Sequence, residues 1–253
     1  MAYMTKSIKT LFRLLQNFGV EYGISLFINF KLNRLDNLRL PNINSSISLR
    51  KGTSDSDAFY QVFVLNEYKI DFIERPKVII DGGANIGLFT VLMKNKFPEA
   101  KVISVEPDKD NFAMLQKNVA NYNNVYCENL GLWNRKTKLK IYDKFEMGKW
   151  AMVVEESEAE GNIEAISIDE LVCKYAINTI DILKLDIETS EKILFLDNYE
   201  GWLPKVKMII IELHDCLEED CSKPFFVAIN KTFSKYTYSI SGENTVIINN
   251  DLV

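Results

Sequence analysis

The chain of 253 residues is 47% apolar, so it is long enough for one large domain with a buried core and too short for two such domains. Its four cysteines form no CxxC pair and His214 is its only histidine, which argues against a zinc site built from Cys and His. The formal net charge is −5, but residues 1–51 contain eight Lys or Arg against only Glu21 and Asp36. The remainder is therefore acidic and carries no continuous basic stripe, which argues against binding to nucleic acid.

The first predicted element is an amphipathic helix over residues 6–31, where apolar side chains recur at helical spacing between basic and polar ones. Gly19 and Gly23 are expected to interrupt it, because glycine weakens a helix interior. We therefore divide the chain into an N-terminal helical extension with its connector, residues 1–50, and a body of residues 51–253.

The apolar stretch from Leu11 to Phe30 is not expected to span a membrane. Arg13 and Glu21 interrupt it, and its uncharged parts fall well short of the ~20 residues that a spanning helix needs. We therefore predict a cytoplasmic protein without signal peptide or transmembrane segment. The basic extension is expected to pack on the acidic body, and its charge leaves peripheral contact with a membrane surface open.

The connector is predicted to end in a short strand, Ile47–Arg50, followed by a turn and the helix Ala58–Asn66. Ser54 or Asp55 is expected to cap that helix, because short polar side chains satisfy the free amides of a first turn.

From Pro76 onward, short apolar runs alternate with helical patterns, which is typical of βαβ units in a doubly wound parallel sheet. Near the end, two alternating runs around Gly242 indicate an antiparallel hairpin that completes the sheet. The predicted strands are Val78–Ile80, Val102–Val105, Val125–Leu130, an inserted hairpin of Leu139–Tyr142 and Trp150–Val154, then Ile180–Leu185, Lys207–Leu213, Tyr236–Ile240 and Thr245–Ile248. The predicted helices are Ile86–Lys96, Asp108–Asn121 and Ile168–Tyr175.

The turn after the first of these strands is the strongest candidate for a cofactor site. Open α/β sheets bind ligands at the carboxyl ends of their strands, and glycines let the backbone approach a ligand closely. Glu106 and Pro107 follow the next strand, where a carboxylate can accept both hydroxyls of a ribose. The predicted cofactor-binding residues are Asp81, Gly82, Gly83, Ala84, Asn85, Gly87, Glu106 and Pro107.

A nicotinamide dinucleotide would use the same geometry, so the turn and the acid do not by themselves separate it from S-adenosylmethionine. Two residues favour the methyl donor. Ala84 occupies the second glycine position of G-x-G-x-x-G, where a pyrophosphate needs its closest backbone approach. Asp81 would repel a pyrophosphate and is placed to meet a ligand ammonium.

Several ordered segments carry a family resemblance over about 170 residues: VIIDGGANIGLFTVL, VISVEPD, AISIDEL, DILKLDIETSEKILF and IIIELHD. Together they closely resemble the FkbM-type methyltransferases, and SLRKGTSDSDAFYQVFVLNEY resembles the branch associated with bacterial polysaccharide genes. The resemblance implies a Rossmann-like fold, S-adenosylmethionine as donor, and a hydroxyl of a sugar or natural product as acceptor. One departure stands out: the family usually has Asp-x-Glu-Gly-Ala-Glu after the fourth strand, whereas Thr189 and Ser190 replace Gly and Ala here.

The predicted catalytic residues lie after the fourth and fifth parallel strands. Asp186 and Glu188 alternate to one side of the chain, as do Glu212 and His214, and both pairs should reach the ligand-binding edge. With an ordinary pKa of about 6.5, His214 is our first choice as general base for a hydroxyl acceptor. A second version uses Asp186, Glu212 and His214 as ligands of Mg²⁺ or Mn²⁺, and we favour it less than the metal-free version.

Two alternatives remain open from the sequence. One is a nicotinamide-dependent oxidoreductase, although no Tyr-x-x-x-Lys pair or full dinucleotide glycine pattern accompanies the turn. The other is a non-catalytic scaffold that keeps the methyltransferase fold, which the departure at Thr189 and Ser190 makes conceivable. The preferred hypothesis is a methyltransferase in polysaccharide biosynthesis, acting on a small-molecule or glycan acceptor.

Overall fold

The computed structural model describes residues 2–71, 73–143, 152–157 and 161–253. The chain forms a mixed α/β structure around one seven-stranded sheet, with a smaller four-stranded sheet beside it. The strands are β1 (Val78–Gly82), β2 (Lys101–Val105), β3 (Val125–Glu128), β4 (Gly131–Leu132), β5 (Lys138–Asp143), β6 (Met152–Glu156), β7 (Ile163–Ile166), β8 (Ile180–Leu185), β9 (Val206–Glu212), β10 (Tyr236–Ser241) and β11 (Asn244–Asn249). The α-helices are α1 (Ala2–Lys31), α2 (Asp55–Phe59), α3 (Leu88–Lys96), α4 (Lys109–Val119), α5 (Ile168–Lys174), α6 (Glu191–Leu194) and α7 (Ser222–Thr232).

The main sheet has the strand order β3-β2-β1-β8-β9-β11-β10. Its first five strands in this order are parallel, and β11 pairs antiparallel with both β9 and β10. The expected Rossmann-like doubly wound fold with a terminal antiparallel hairpin is therefore confirmed. The order reverses between β1 and β8, so the carboxyl ends of these two strands border the crevice where such sheets bind ligands.

Helices cover both faces of the sheet, and the strand residues alternate between two cores. Ile79 packs toward a cluster that contains Phe89 and Met93 of α3, whereas Ile80 packs toward a cluster that contains Phe225 of α7. Every residue of β8 is buried, as expected for a central parallel strand covered on both faces.

The inserted hairpin forms as predicted, because β5 pairs antiparallel with β6. β5 also pairs with β7, and β7 pairs with β4 to complete the small sheet. Trp150, at the start of the second predicted strand of this hairpin, lies outside the described residues. The small sheet places Gly131 and Leu132 next to the ends of the main strands.

The N-terminal extension packs on the domain. Leu14 and Leu26 are buried in the same cluster as Val91 of α3 and Leu115 of α4. Gly19 breaks α1 as predicted, with φ 76° and ψ 177°. The expectation for Gly23 was wrong: it stays helical, and a Cβ there would lie 2.9 Å from the Leu14 backbone, so it lets the two halves of α1 pack closely.

Part of the surface of α1 is apolar and exposed. Val20, Ile24 and Ile28 recur every four residues along one exposed face. In the part of the chain that the structure describes, no helix combines the length and apolarity needed to cross a membrane.

Two local expectations for the connector were wrong. Ile47 forms a single antiparallel bridge with Leu38, so Ile47–Arg50 is not a strand. Ser54 occupies the N-cap position of α2, but its side chain makes no capping hydrogen bond among the described residues. The Asp55 carboxylate instead pairs with Arg50 and accepts hydrogen bonds from its guanidinium and its backbone amide. The segment after α2 winds as a π-helix over Tyr60–Leu65.

Candidate active site

The turn between β1 and α3 brings its backbone close to the end of β8. Gly83 has φ 70°, and a Cβ on it would overlap the carbonyl oxygen of Asp186. Asn85 is also left-handed, with φ 49°, and Gly87, the N-cap residue of α3, has φ 83°. This geometry requires glycine at position 83 both for its φ and for the close approach. The turn is thereby packed against the loop that carries Asp186.

Glu106 stands directly after β2 and is held by the turn. Its Oε2 accepts from the backbone amide of Asn85 at 2.7 Å, and its Oε1 accepts from the amide of Asp108 at 3.0 Å. Burial raises the pKa of Glu106 to about 7, against the hydrogen bonds that favour its charged form. The carboxylate is thus oriented before any ligand arrives, and its remaining lone pairs can accept hydroxyl donors.

Asp81 is not among the residues that line the two clefts described below. It is fully buried in β1, where its Oδ2 accepts from the hydroxyl of Thr90 at 2.6 Å and its Oδ1 lies 3.5 Å from Nζ of Lys184. Burial raises its pKa. Lys184 also donates to the carbonyl oxygen of Gly83 at 2.8 Å. Asp81 therefore supports the turn from below through Lys184, and direct contact with a ligand ammonium remains a prediction.

Two clefts open at this edge of the sheet, and both contain Gly83, Asn85 and Asp186. The first cleft is bordered by the ends of β1 and β2, the small sheet and the loop after β8. Its lining residues are Gly83, Asn85, Val105, Glu106, Pro107, Asp108, Asn111, Gly131, Leu132, Asp186, Ile187, Glu188 and Ser190. The second cleft lies between the sheet edge and the segment around α2. Its lining residues are Ala58, Gln61, Val62, Glu67, Tyr68, Gly83, Ala84, Asn85, Ile86, Leu88, Phe89, Lys184, Asp186 and Glu212.

The four predicted catalytic residues converge at the ends of β8 and β9. From Nε2 of His214, the nearest carboxylate oxygens lie at 3.6 Å for Glu212, 3.8 Å for Asp186 and 3.9 Å for Glu188. On the other side of the ring, Nδ1 lies 3.1 Å from Oε1 of Glu191. A carboxylate only accepts, so Nδ1 carries the proton that it donates to Glu191.

The electrostatics of this cluster differ from the sequence expectation. Burial alone would lower the pKa of His214, but the hydrogen bond that its ring donates to Glu191 and the surrounding carboxylate charges raise that pKa to about 10. Burial and the neighbouring Asp186 raise the pKa of Glu188 to about 8 and that of Glu212 to about 7. The expectation that His214 titrates near neutrality was therefore wrong, because it treated the ring as isolated from four carboxylates.

Glu191 is the functional residue that the sequence reasoning missed. It is fully buried in the first turn of α6, and Oε1 accepts from the backbone amide of Ile187 as well as from His214. The signal was present, because Glu191 matches the last Glu of the family pattern Asp-x-Glu-Gly-Ala-Glu. Its role depends on a residue 23 positions away, which no local pattern shows.

The structure also gives a reason for the glycine that the family has at position 189. Thr189 has φ 73°, in the left-handed region where a β-branched side chain is strained, and Glu188 before it has φ 51°. Ser190 has an ordinary φ of −68°. The departure thus places strain in the loop that carries the carboxylates.

We expect Thr189→Gly to be more stable than Thr189→Ala by ~1–2 kcal/mol, since only glycine adopts positive φ without penalty. At Ser190 the order should reverse, with Ser190→Ala the more stable by ~1 kcal/mol. Urea unfolding of the four variants checks both signs. The same order at both positions would contradict the strain.

The FkbM methyltransferase domain model matches residues 81–240, more than half of the chain. The chain therefore belongs to the FkbM methyltransferase domain family. The match spans the turn, Glu106, the loop after β8 and the end of β9.

Among curated proteins, the AMB antimetabolite synthetase AmbE of Pseudomonas aeruginosa is 24% identical over 200 residues, 62% of this chain and 9% of that protein. Methyltransferase sdnD of Sordaria araneosa is 37% identical over 62 residues, 24% of each chain. Methyltransferase 1 of Beauveria bassiana is 29% identical over 83 residues, 32% of this chain and 33% of that protein. The alignments thus span a tenth to a third of these relatives' lengths.

Among solved structures, the METTL16 methyltransferase domain overlaps with a TM-score of 0.46 at 10% identity, covering 89% of this chain and 77% of that one. Fibrillarin from Methanococcus jannaschii overlaps with a TM-score of 0.41 at 13% identity, covering 71% of this chain and 69% of that one. The fold assignment stands on the sheet order above.

Proposed function

We propose that the protein transfers a methyl group from S-adenosylmethionine to a hydroxyl of a sugar or a related small molecule. The observation that carries this proposal is the junction of the two clefts at Asp186. There the cleft that Glu106 lines and the cluster around His214 meet at one edge of the sheet. Family membership supplies the reaction class.

The first cleft is the proposed cofactor site. Glu106 accepts the ribose hydroxyls, and Pro107 and Leu132 offer apolar surface for the adenine. The backbone of Gly83 and Asn85 lets the methionine part pass toward Asp186, where the two clefts join. Gly82, Ala84 and Gly87 act in this proposal by shaping the turn.

The second cleft is the proposed acceptor site. It presents Glu212 and Asp186 beside Glu67, Gln61 and Tyr68, a set of polar groups that can hydrogen-bond a polyhydroxylated molecule. Methyl transfer from a sulfonium needs an in-line acceptor, so positioning supplies much of the acceleration. The acidic groups at the junction take up the hydroxyl proton, which completes an O-methylation.

The proposal is tested by calorimetry with S-adenosylmethionine and with S-adenosylhomocysteine, which should bind one per chain. Glu106→Gln should weaken binding ~10–100-fold, the scale of losing hydrogen bonds to a charged group. The wild-type affinity should also rise with pH. Burial raises the pKa of Glu106 to about 7. The ribose hydroxyls donate to the charged carboxylate, so tight binding is lost as the pH falls through 7 and Glu106 becomes protonated.

The matched control is Glu128→Gln, the same change at the end of the neighbouring strand β3, outside both clefts. It should leave the affinity and its pH dependence unchanged. The affinity of Glu106→Gln for the cofactor should vary less with pH than that of the wild type. Titration of the cofactor itself affects both proteins equally, so it cancels in this comparison. Equal pH dependence in the wild type and Glu106→Gln would refute the ribose contact.

A further inference from the structure

One cluster of side chains combines ligand atoms of the kind that hold a metal ion. One atom each from Asp186, Glu212 and His214 can be chosen so that all three lie within 4.8 Å of one another. Ligands of a single octahedral ion at 2.0–2.1 Å lie roughly 3 Å apart at adjacent positions and roughly 4 Å apart at opposite ones. Small side-chain rotations therefore suffice to bring the three onto one ion.

The imidazole supplies an observation independent of the carboxylates. The His214 residue is only 6% exposed, and Nδ1 is fixed by the buried Glu191. Its Nε2 points at the carboxylates from 3.6–3.9 Å, beyond hydrogen-bond distance, and makes no hydrogen bond within the described ranges. A carboxylate that holds Nδ1–H, with Nε2 directed at a cluster of acids, is the arrangement found around metal-bound histidines.

We propose that Asp186, Glu212 and His214 bind one divalent cation of the Mg²⁺ or Mn²⁺ class, with Glu191 orienting the imidazole. The two carboxylates suit a hard ion of this class, and the single imidazole favours Mn²⁺ over Mg²⁺, because imidazole is a ligand of transition metals. Glu188, whose Oε2 also faces Nε2, provides a fourth group that reaches the ion directly or through water.

The position of the site defines what the ion does. Asp186 lines both clefts and Glu212 lines the second, so the ion lies where the proposed cofactor and acceptor sites meet. A cation bound there would polarise an acceptor hydroxyl and lower its pKa. This use rests on the proposed function, whereas binding of the ion does not.

The first experiment titrates the purified full chain with Mn²⁺ alone, without cofactor, and follows free Mn²⁺ by electron paramagnetic resonance. We expect one saturable site per chain. Asp186→Asn and His214→Gln should each weaken it ~10-fold or more, and Glu191→Gln should weaken it through the ring it orients. Glu219→Gln, the same loss of charge on an exposed residue of the loop after His214, should leave it unchanged.

A second measurement on the wild type does not depend on variants folding. Pulsed resonance of bound Mn²⁺ should show coupling to one imidazole nitrogen, which is lost in His214→Gln. Absence of saturable binding, or binding without nitrogen coupling, would overturn the site. Cofactor calorimetry in excess chelator separates the two proposals. If S-adenosylmethionine binds in chelator and the separate Mn²⁺ titration shows no saturable site, only the metal site is rejected. If Mn²⁺ binds and S-adenosylmethionine does not, only the methyl donor is rejected.

Discussion

His214→Ala is expected to lower methyl-transfer turnover by ~10²–10⁴-fold, the usual contribution of a positioned proton-transfer or metal-binding group. The chain has no second histidine that could substitute. The affinity for S-adenosylmethionine should remain nearly unchanged, because His214 lines neither cleft directly. Steady-state rates together with calorimetry separate these two effects.

Two further variants show how the imidazole acts. Glu191→Gln keeps the shape of the buried side chain but removes its charge, so it should lower turnover less than His214→Ala does. Glu219→Gln should behave as the wild type. Full turnover in His214→Ala would show that the carboxylates at the junction act without the imidazole, and a parallel loss of cofactor affinity would show that His214 holds the loop in place.

The predictable part of the fold is the part governed by local pattern. The strand Ile180–Leu185 was predicted residue for residue. A short, mainly apolar run bounded by turns is typical of a buried parallel strand. The turn between β1 and α3 was located for a similar reason, since its glycines, the strand before it and the helix after it are adjacent in the chain. The terminal hairpin followed from alternation around Gly242, which has φ 60°.

What the sequence did not reveal depends on contacts between distant segments. Asp55 has the properties of a helix cap, but the fold pairs it with Arg50. The sequence placed Asp81 at the end of a buried strand but did not show that Thr90 and Lys184 are its neighbours. For His214 the sequence predicted a place at the end of β9 but not the charge state, because Glu191 and three further carboxylates surround the ring only after β8 and β9 are paired. Sheet register, which brings these groups together, is a property of the whole fold.

Gly83→Ala is expected to have the largest structural effect of any single methyl group added at the site. Its positive φ alone should cost ~1–2 kcal/mol, and overlap of the new Cβ with the Asp186 carbonyl oxygen adds a further ~1–3 kcal/mol. Relief of the overlap moves the loop after β8 away from the turn, which separates Glu106 from Asp186. Binding of S-adenosylmethionine should therefore be lost in the part of the variant population that stays folded.

Gly52→Ala is the matched control, because Gly52 has φ 71° but open space around its Cβ position. Urea unfolding should show only the conformational cost in Gly52→Ala, with cofactor binding intact in calorimetry. If Gly83→Ala loses no more stability than Gly52→Ala and still binds the cofactor, the close packing of the turn on Asp186 does not organise the site.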